Sequence, residues 1–385
     1  MGQPNCVETK RIFILGCHRS ASQHFAYQSC HATSLWRRLD SRDARNSLLA
    51  SRYPWLHTDD LTFASFSGGG ANDTQEGYFD PWGLLQCMKH EASMEHGVAI
   101  VEGQVDRVTC VSQHNSNGAS TTTTTLEPDV RLESVHVRLG KMQDKAQRTT
   151  NGSLQEIHGI EALINCTGAW TKEFVRYAIC QANQTVLTPL QQAMILQLLP
   201  IERRKRCIFF IHCPGKQSFS HPMPPTNTPL TIDPTGVYFR SEGTTPGHFL
   251  CGVSPASHLD DDYDTDDVLE HVDYDLFDEI IWPALAHRVP AFNELKVVSA
   301  WSGFYDYNAV DQNAILGYHP FIRNLVCVGG FSGHGLQMAP AAGRAVTDIV
   351  LQQKQPTDSP PLLDLSNFSF ARIQNHRPYL ETGIV

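Results

Sequence analysis

The chain has 385 residues, of which 41% are hydrophobic and 18% are charged. At about 150 residues per domain this length predicts two domains, and the apolar fraction excludes a chain that is disordered as a whole. The formal net charge of −10 argues against a nucleic-acid partner, because a negative surface repels phosphate groups. No apolar run reaches the length of about 18 residues that a bilayer requires, so we expect no membrane span.

The eleven cysteines are scattered along the chain without any C-x-x-C pair. This distribution predicts reduced thiols of an intracellular protein rather than a disulfide scaffold. Residues 1–38 show neither a signal-peptide core nor an amphipathic, Arg-rich transit pattern, so they leave the cellular location open.

In the first part of the chain, apolar runs predict short strands and one amphipathic helix. The helix should span 82–96, because Pro81 follows the capping residue Asp80 and apolar residues then recur at helical spacing. Strands are predicted at 11–15, 61–66, 98–101, 105–111 and 135–139, and polar loops at 113–125 and 142–152.

A short apolar run at 161–165 leads into the small-residue turn Cys166-Thr-Gly-Ala-Trp170, and residues 172–180 then show helical spacing. This order of strand, turn and helix is typical of sites where a ligand meets the carboxyl end of a parallel strand.

From about 185 to 317 the strand-forming segments are separated by Pro and Gly, which predicts an antiparallel sheet in a second domain. The acidic run 260–267 is interpreted as a solvated face rather than as a metal site. The strands are predicted at 194–199, 207–212, 237–240 and 249–253, and a helix at 269–286.

Near the end of the chain, a buried-strand pattern at 324–329 runs into Gly330-Phe-Ser-Gly-His-Gly335 and then a helix at 336–352. Glycines on both sides of His334 allow a tight turn and a close approach to a ligand. The helix N-terminus favours an electron-rich group, either a phosphate or the pyrimidine edge of a flavin. The alternative is a glycine turn shaped only for packing.

The string Gly330–Gly343 closely resembles the C-terminal flavin motif of the D-amino-acid oxidase/sarcosine oxidase superfamily. Ile164-Asn-Cys-Thr-Gly-Ala-Trp170 is similar to the "N-A-A-G-A-W" turn of the same superfamily. The strings at 77–82, 203–214, 236–243, 282–292 and 299–308 resemble one branch of the superfamily, and the resemblance extends from about residue 39 to the C-terminus.

The resemblance implies an α/β (α+β) fold with a three-layer FAD/NAD(P)-binding domain and an antiparallel-sheet substrate domain. The FAD-binding domain should be discontinuous and the substrate domain inserted into it. The implied boundaries are 1–38 for a divergent N-terminal segment, 39–183 with 322–355 for the FAD-binding domain, 184–321 for the substrate domain and 356–385 for a C-terminal tail.

FAD is the cofactor that the resemblance implies. Related sarcosine oxidases link the flavin to a cysteine in the segment matching 303–305, and because no cysteine occurs here, the FAD should be held non-covalently. The residues implied to border the cofactor are Val105, Gly168, Ala169, Trp170, Gly333, His334, Gly335, Leu336 and Gln337.

The superfamily oxidises C–N or C–O bonds beside a carboxylate, which implies an amino or hydroxy acid as substrate. Because Arg binds a carboxylate with two parallel hydrogen bonds, we expect Arg240 and Tyr305 to line the reactive face of the flavin. Tyr238 should share a strand face with Arg240, and Tyr307 with Tyr305. The alternative is a surface arginine and core tyrosines.

The superfamily opens with G-x-G-x-x-G for the FAD pyrophosphate, and here a single glycine, Gly16, is followed by Cys17 and His18. We therefore expect an N-terminally truncated FAD-binding domain that lacks its first βαβ unit and binds FAD weakly or not at all. Exposed sheet edges should remain where that unit would pair.

One branch of the superfamily is a mitochondrial assembly factor for respiratory complex I. By resemblance alone, the chain is therefore expected in mitochondria, with complex I subunits or assembly intermediates as partners. The alternatives to an oxidoreductase are a non-catalytic assembly protein and an inactive truncated fragment.

Overall fold

The computed structural model describes residues 12–16, 49–61, 63–66, 79–112, 129–140, 153–214, 221–351 and 363–381. Its contacts divide the chain into two compact units. Unit 1 contains the described residues up to Cys87 and Lys205–Phe304, and unit 2 contains Met88–Arg204 and Tyr305–Ile384. The domain boundaries implied by the resemblance concern cofactor and substrate binding, and they stay a prediction.

The strands of the described residues are β1 Ile12–Gly16, β2 Phe63–Phe66, β3 Gly103–Ser112, β4 Val130–Leu139, β5 Leu154–His158, β6 Leu163–Asn165, β7 Ile201–His212, β8 Leu230–Ile232, β9 Tyr238–Ser241, β10 His248–Gly252, β11 Lys296–Asn308, β12 Ile315–Tyr318 and β13 Leu325–Gly329. The α-helices are α1 Pro81–Met94, α2 Thr171–Phe174, α3 Pro189–Gln197, α4 Tyr274–Leu276, α5 Trp282–Arg288, α6 Gly335–Leu351 and α7 Phe370–Gln374.

The main sheet of unit 1 has the order β11-β7-β10-β9-β8-β1-β2. The register pairs β10 with β7 and β9, β8 with β9, and β1 with β2 antiparallel, whereas β1 and β8 run parallel. The predicted antiparallel sheet is therefore present. Its core is aromatic and includes Trp55, Phe209, Phe239, Phe249 and Phe292.

Unit 2 contains the sheet β12-β13-β6, in which β13 is antiparallel to β12 and parallel to β6. Strand β13 is buried along its whole length, as its continuous apolar sequence predicts. Leu325 and Cys327 pack into the core that includes β3 and β4, whereas Val326 and Val328 pack into the core that includes Ala345 of α6. The parallel pair therefore lies between two packed layers.

The last described segment, 363–381, packs into unit 2. Phe370 and Ile373 of α7 belong to the same core as β13. Arg372 is 4% exposed and donates through Nε to Asp311 Oδ2 at 2.6 Å and through Nη2 to the carbonyl of Asn313 at 2.8 Å. The segment around α7 is thus fixed by a buried ion pair as well as by apolar contact.

Two predicted strands were wrong. Residues 194–199 lie in α3 and the turn that follows it. The Thr188 hydroxyl accepts the Gln191 N–H at 3.3 Å, the Gln191 side chain accepts the Thr188 N–H at 3.0 Å, and Pro189 occupies the first turn. This capping box starts a helix where apolar composition alone suggested a strand. Residues 98–101 are irregular and exposed.

The predicted helix at 269–286 is interrupted. A short 3₁₀ turn at Asp267–Glu270 is followed by extended backbone at His271, and α4 begins after Asp273, whose carboxylate accepts the Leu276 N–H at 3.1 Å. The predicted helix at 82–96 is confirmed as α1, although none of its residues is buried. The predicted loops 113–125 and 142–152 lie outside the described residues. Within the part of the chain that the structure describes, no helix is both long and apolar enough to cross a bilayer.

Candidate functional site

The turn after β6 is held by the side chain of Asn165, the last residue of that strand. Asn165 Oδ1 accepts hydrogen bonds from the Thr167 N–H at 3.2 Å and the Thr167 hydroxyl at 2.7 Å. Asn165 Nδ2 donates to the carbonyl of Thr171 at 3.1 Å. Gly168 then adopts a φ of +57°, which glycine reaches without steric cost. The result is a fixed turn between β6 and α2.

The turn after β13 is left-handed at several positions. The φ angles are +77° at Gly330, +50° at Ser332 and +94° at Gly333. A side chain rarely adopts such angles, so the glycines at 330 and 333 are required by the backbone. This turn brings the chain from the buried strand β13 to the start of α6.

Asp306 of β11 anchors this second turn. Its Oδ2 accepts the N–H of Gly330 at 2.6 Å and of Phe331 at 3.2 Å, and its carbonyl accepts the N–H of Ser332 at 2.9 Å. Burial raises the pKa of Asp306, and the N–H groups of Phe331 and Gly330 offset this only in part. Asp306 therefore accepts hydrogen bonds from three consecutive residues of the turn, two through its carboxylate and one through its main-chain carbonyl.

Asn308, two residues further along β11, holds the same turn from its other side. Its N–H donates to Ser332 Oγ at 3.0 Å, and its Nδ2 donates to Asp311 Oδ1 at 2.9 Å and the carbonyl of Asn313 at 2.6 Å. Since Asp311 also binds Arg372, the turn is connected to α7.

Strand β13 ends in a glycine because its neighbours leave no room for a side chain. A Cβ at Gly329 would lie 2.9 Å from Thr171 Oγ1 and 3.4 Å from Ile201 Cδ1. This packing brings the start of α2 against the end of β13. The turns after β6 and β13 therefore lie at the same edge of the sheet.

Helix α6 begins directly after the second turn, and its first backbone amides lie there. The first N–H groups of a helix have no carbonyl partner within it, and here they belong to Gly335, Leu336 and Gln337. The His334 N–H is instead used inside the turn, where it donates to the Phe331 carbonyl at 3.0 Å. These N-terminal amides and the helix dipole favour an electron-rich group at this position.

The backbone of these turns is open to a ligand, with apolar side chains beside it. A Cβ at Gly168 or Gly333 would meet nothing within 4 Å, so a ligand can approach the backbone there. Trp170 and Leu336, next to these glycines, are 39% and 46% exposed. A flavin has such a shape, and its pyrimidine edge gains negative charge on reduction, which the helix N-terminus would stabilise.

Comparison with known proteins decides the family. The sequence profile described as FAD dependent oxidoreductase (DAO) matches residues 14–349. The chain belongs to this family. The resemblance read from the motifs around Gly168 and Gly333 is thereby confirmed.

Curated relatives of this flavoenzyme family cover most of the chain. The chain is 38% identical over 326 residues to FAD-dependent oxidoreductase domain-containing protein 1 of Bos taurus. The aligned region covers 84% of the chain and 58% of that relative. The Xenopus laevis protein of the same name is 35% identical and is covered to 59%, and the Drosophila melanogaster homolog is 30% identical and covered to 62%. The chain thus spans about three fifths of the length of these relatives.

Solved structures of flavoenzymes share the fold. L-proline dehydrogenase from P. horikoshii superposes with a TM-score of 0.61 at 16% identity, covering 96% of this chain and 78% of that one. Glycine oxidase from Geobacillus kaustophilus gives 0.57 at 16% identity, with coverage of 95% and 75%. The predicted fold class, helices with sheets that include an antiparallel one, is confirmed.

The implied cofactor residues fall into two groups within unit 2. The parallel pairing of β6 with β13 brings the turn at 168–170 to the same sheet edge as the turn and helix start at 333–337. Val105 lies in the other sheet, on β3, where it is partly buried against the common core. Contact of any of these residues with FAD stays a prediction.

The two residues chosen for catalysis lie in different units. Arg240 of β9 donates to the Ser241 carbonyl at 3.0 Å and to the carboxylate of Glu242. Tyr305 is the first residue of the second part of unit 2, and its ring centroid lies 6.3 Å from that of Tyr307. Their catalytic role stays a prediction.

The alternation within β9 puts Tyr238 on the same face as Arg240, as expected for residues two apart. Burial raises the pKa of Tyr238 to about 12, with a smaller contribution from the neighbouring Cys251. Its ring lies over Gly252 of β10, where an added Cβ would be 2.6 Å from the phenol oxygen. Tyr238 is therefore a neutral, packed phenol.

Sequence reasoning missed the side chains that build the site: Asn165, Asp306 and Asn308. One signal was available. Asp306 is a charged residue inside a strand, between two tyrosines, and a buried carboxylate requires hydrogen-bond donors.

Proposed function

We propose that the chain binds FAD non-covalently beside the turns after β6 and β13, and that it oxidises an amino or hydroxy acid. The observation that carries the proposal is the pair of anchored glycine turns at one sheet edge, next to the N-terminus of α6. FAD, when bound, supplies the acceptor for a hydride from the substrate carbon.

The protein's own residues would bind and orient the cofactor. Asn165 and Asp306 hold the two turns rigid, so little conformational entropy is lost when a ligand docks against them. The amides of Gly335, Leu336 and Gln337 would face the polar edge of the flavin, where they would stabilise the negative charge that develops on reduction.

An acid substrate is supported by the names of the structural neighbours, which include an L-proline dehydrogenase and a glycine oxidase. Arg240 is the residue proposed to bind the substrate carboxylate. Because Glu242 already accepts a hydrogen bond from Arg240, a substrate would share or replace that pair. Replacing Arg240 with Met should therefore raise KM for the acid substrate more than it lowers kcat.

We propose further that FAD binding by this chain is weak. G-x-G-x-x-G, the sequence that holds the pyrophosphate in the superfamily, does not occur in these 385 residues. Without this motif, the affinity for FAD would come mainly from the second turn and the start of α6, which would contact the flavin end of the cofactor.

The test uses two exposed leucines of the same helix. Leu336 lies in the first turn of α6 and Leu351 is its last residue. Leu336→Glu places a negative charge where the flavin edge should bind, whereas Leu351→Glu places the same charge at the far end. A glutamate favours a helix N-terminus and disfavours a C-terminus, so lost binding in Leu336→Glu cannot result from a weaker helix.

The full chain and both variants are titrated with FAD, and flavin fluorescence quenching gives the affinity. We expect Leu336→Glu to weaken binding at least tenfold and Leu351→Glu to leave it unchanged. Equal affinities in all three proteins would contradict the proposed site. Stoichiometric FAD retained through desalting would contradict weak binding, and failure of every tested amino and hydroxy acid to bleach bound flavin anaerobically would contradict the oxidase reaction.

A second proposed function is a non-catalytic role in the assembly of respiratory complex I, in mitochondria. Its support is the sequence resemblance alone. Rescue of complex I assembly in deficient cells by the Leu336→Glu variant would favour this role over flavin chemistry. Rescue by the unaltered chain only would favour a role that requires the flavin.

A further inference from the structure

Unit 1 contains a cluster of metal-binding side chains outside the flavin site. One ligand atom each from His57, Asp60 and His287 lies within 4.8 Å of the others. His287 Nε2 is 3.2 Å from Asp60 Oδ2, and the rings of His57 and His287 meet edge to face with centroids 4.7 Å apart. Two imidazoles and a carboxylate are the ligand set of many zinc and other transition-metal sites.

The carboxylate of Asp60 is held in place by Arg288. Arg288 donates through Nη1 to Asp60 Oδ1 at 2.7 Å and through Nη2 to Asp60 Oδ2 at 2.9 Å. Each carboxylate oxygen has two lone pairs, so Oδ1 keeps one for a metal, and the second lone pair of Oδ2 faces His287 Nε2. Hydrogen bonds of this kind orient the ligands of metal sites and are a regular part of them.

The local charge favours a cation in spite of Arg288. Its Nε also donates to Asp233 Oδ2 at 2.6 Å, so two carboxylates surround one guanidinium. Arg288 itself is 2% exposed, whereas Asp60 is 40% exposed. The positive charge is therefore enclosed, and one excess negative charge remains beside the accessible oxygens of Asp60.

The hydrogen bonding of His57 also leaves a position for a metal. Its Nδ1 is buried and has no hydrogen-bond partner among the described residues. Its Nε2 lies 3.6 Å from Asp59 Oδ2, within ion-pair distance. An imidazole that binds a metal through one nitrogen usually directs the N–H of the other towards a carboxylate or carbonyl, and Asp59 is placed for that role.

The backbone around the cluster is fixed. The His57 N–H donates to the Arg288 carbonyl at 2.8 Å, and Arg288 Nη1 donates to the His57 carbonyl at 2.6 Å. The segment around His57 is thus attached to the end of α5 by main-chain and side-chain hydrogen bonds. Only side-chain torsions need to change to bring the ligand atoms to the spacing of about 3.4 Å that bonds of about 2.0–2.2 Å in a tetrahedral site require.

Asp60 and His287 open on a cleft with a volume of about 430 Å³, which is also lined by Arg288, Glu279, Ile280, Pro283 and Ala284. A metal ion can reach these two ligands from the cleft. The same opening leaves room for water as a fourth ligand.

We propose that His57, Asp60 and His287 form a binding site for a divalent transition-metal ion, with Zn²⁺ as the best match to two imidazoles and a carboxylate. The ion would link the segment at residues 57–60 to α5. The site is independent of flavin binding.

The test measures metal binding to the full chain after it has been stripped with EDTA. Zn²⁺ is titrated in competition with a chromogenic chelator, and Co²⁺ is added separately to record the visible absorption of a four-coordinate site. We expect His287→Ala and Asp60→Asn each to bind one equivalent of Zn²⁺ fewer than the unaltered chain, or to bind it at least tenfold more weakly. Both should lose the Co²⁺ bands.

His258→Ala is the matched control, because His258 is an exposed histidine of unit 1 outside the cluster. It should bind Zn²⁺ as the unaltered chain does. Asp60→Asn preserves the shape beside Arg288, so it separates ligand loss from misfolding, which thermal unfolding in EDTA checks. Identical stoichiometry and affinity in the unaltered chain and both cluster variants would overturn the proposal, as would a loss of the same size in His258→Ala.

Discussion

Two aspartates, Asp306 in unit 2 and Asp60 in unit 1, each fix a segment of the chain, but by different donors. Asp306 accepts hydrogen bonds from the neutral backbone N–H groups of Gly330 and Phe331. Asp60 accepts two from the guanidinium of Arg288. The two aspartates show how the same carboxylate responds to backbone N–H dipoles and to a full positive charge.

The consequences for the pKa are opposite. Burial raises the pKa of Asp306, and the backbone donors do not cancel this effect. Burial would also raise the pKa of Asp60, but hydrogen bonds from Arg288 and His287 and the charge of Arg288 hold it well below its ordinary range. Asp60 is therefore a permanent charge available to a cation, whereas Asp306 serves as an acceptor for the turn.

Asp306→Ala should have the largest effect on the free energy of unfolding. It leaves the N–H groups of Gly330 and Phe331 without their acceptor, and each buried, unsatisfied donor costs about 1–3 kcal/mol. We expect the free energy of unfolding to fall by about 3 kcal/mol in denaturant titrations. Asp306→Asn keeps an acceptor oxygen and should cost about 1 kcal/mol. Equal losses in the two variants would show that the charge, not the acceptor, holds the turn.

Gly330→Ala tests the turn that Asp306 anchors. The φ of +77° at Gly330 is strained for alanine, and an added Cβ would lie 3.3 Å from Asn308 Cβ. Unfolding should be easier by about 2 kcal/mol, from about 1–2 kcal/mol of backbone strain with close contact added. At Gly333, where φ is +94° and nothing lies within 4 Å of the Cβ position, alanine should cost only the backbone strain. A larger loss at Gly333 would contradict this packing.

Asp60→Asn in the presence of EDTA should have a smaller effect than either change at the turn. Arg288 keeps its hydrogen bonds to Asp233 and the His57 carbonyl, both at 2.6 Å, and Asp60 is partly solvated. We expect a loss of about 1 kcal/mol, because Asp60 is 40% exposed and screened by solvent, and because the buried Arg288 still pairs with Asp233. Asp59→Asn, at a side chain that is 90% exposed, is the control and should change the unfolding free energy by less than about 0.5 kcal/mol.

The smallest expected effect is the change with pH in how much each aspartate variant lowers the free energy of unfolding. The unfolded pKa of Asp is about 3.9. The lowered pKa of Asp60 gives stability above that pH which is lost as the pH falls towards its folded pKa. The raised pKa of Asp306 gives stability at low pH which is lost as the pH rises through its folded pKa.

As the pH rises from about 3 to about 6, across the unfolded pKa of about 3.9, the loss of unfolding free energy caused by Asp60→Asn should therefore grow. The loss caused by Asp306→Asn should shrink over the same range. Denaturant titrations at several pH values give both slopes. Slopes of the same sign would contradict the contrast drawn between the two aspartates.

Much of the fold was predictable because local patterns carry it. The continuous apolar run that ends at Gly329 predicts a strand buried on both faces, and the glycines on both sides of His334 predict a tight turn before α6. The capping box at Thr188 was equally local, and reading it would have replaced the predicted strand at 194–199 with a helix.

The anchors of the site were not predictable in this way. Asp306 binds backbone groups 24 and 25 residues further along the chain, and Arg288 binds Asp60 across 228 residues. No periodicity within a strand or helix specifies such partners, since they depend on which elements pack together.

The sequence by itself determined the family, through the glycine-rich string after β13 and the turn at 166–170, and it determined which segments alternate or stay buried. Tertiary structure alone decided the state of the charged groups. Whether an aspartate accepts hydrogen bonds from a guanidinium or from backbone amides depends on residues distant in sequence. These partners set the pKa of the aspartate and its capacity to bind a cation.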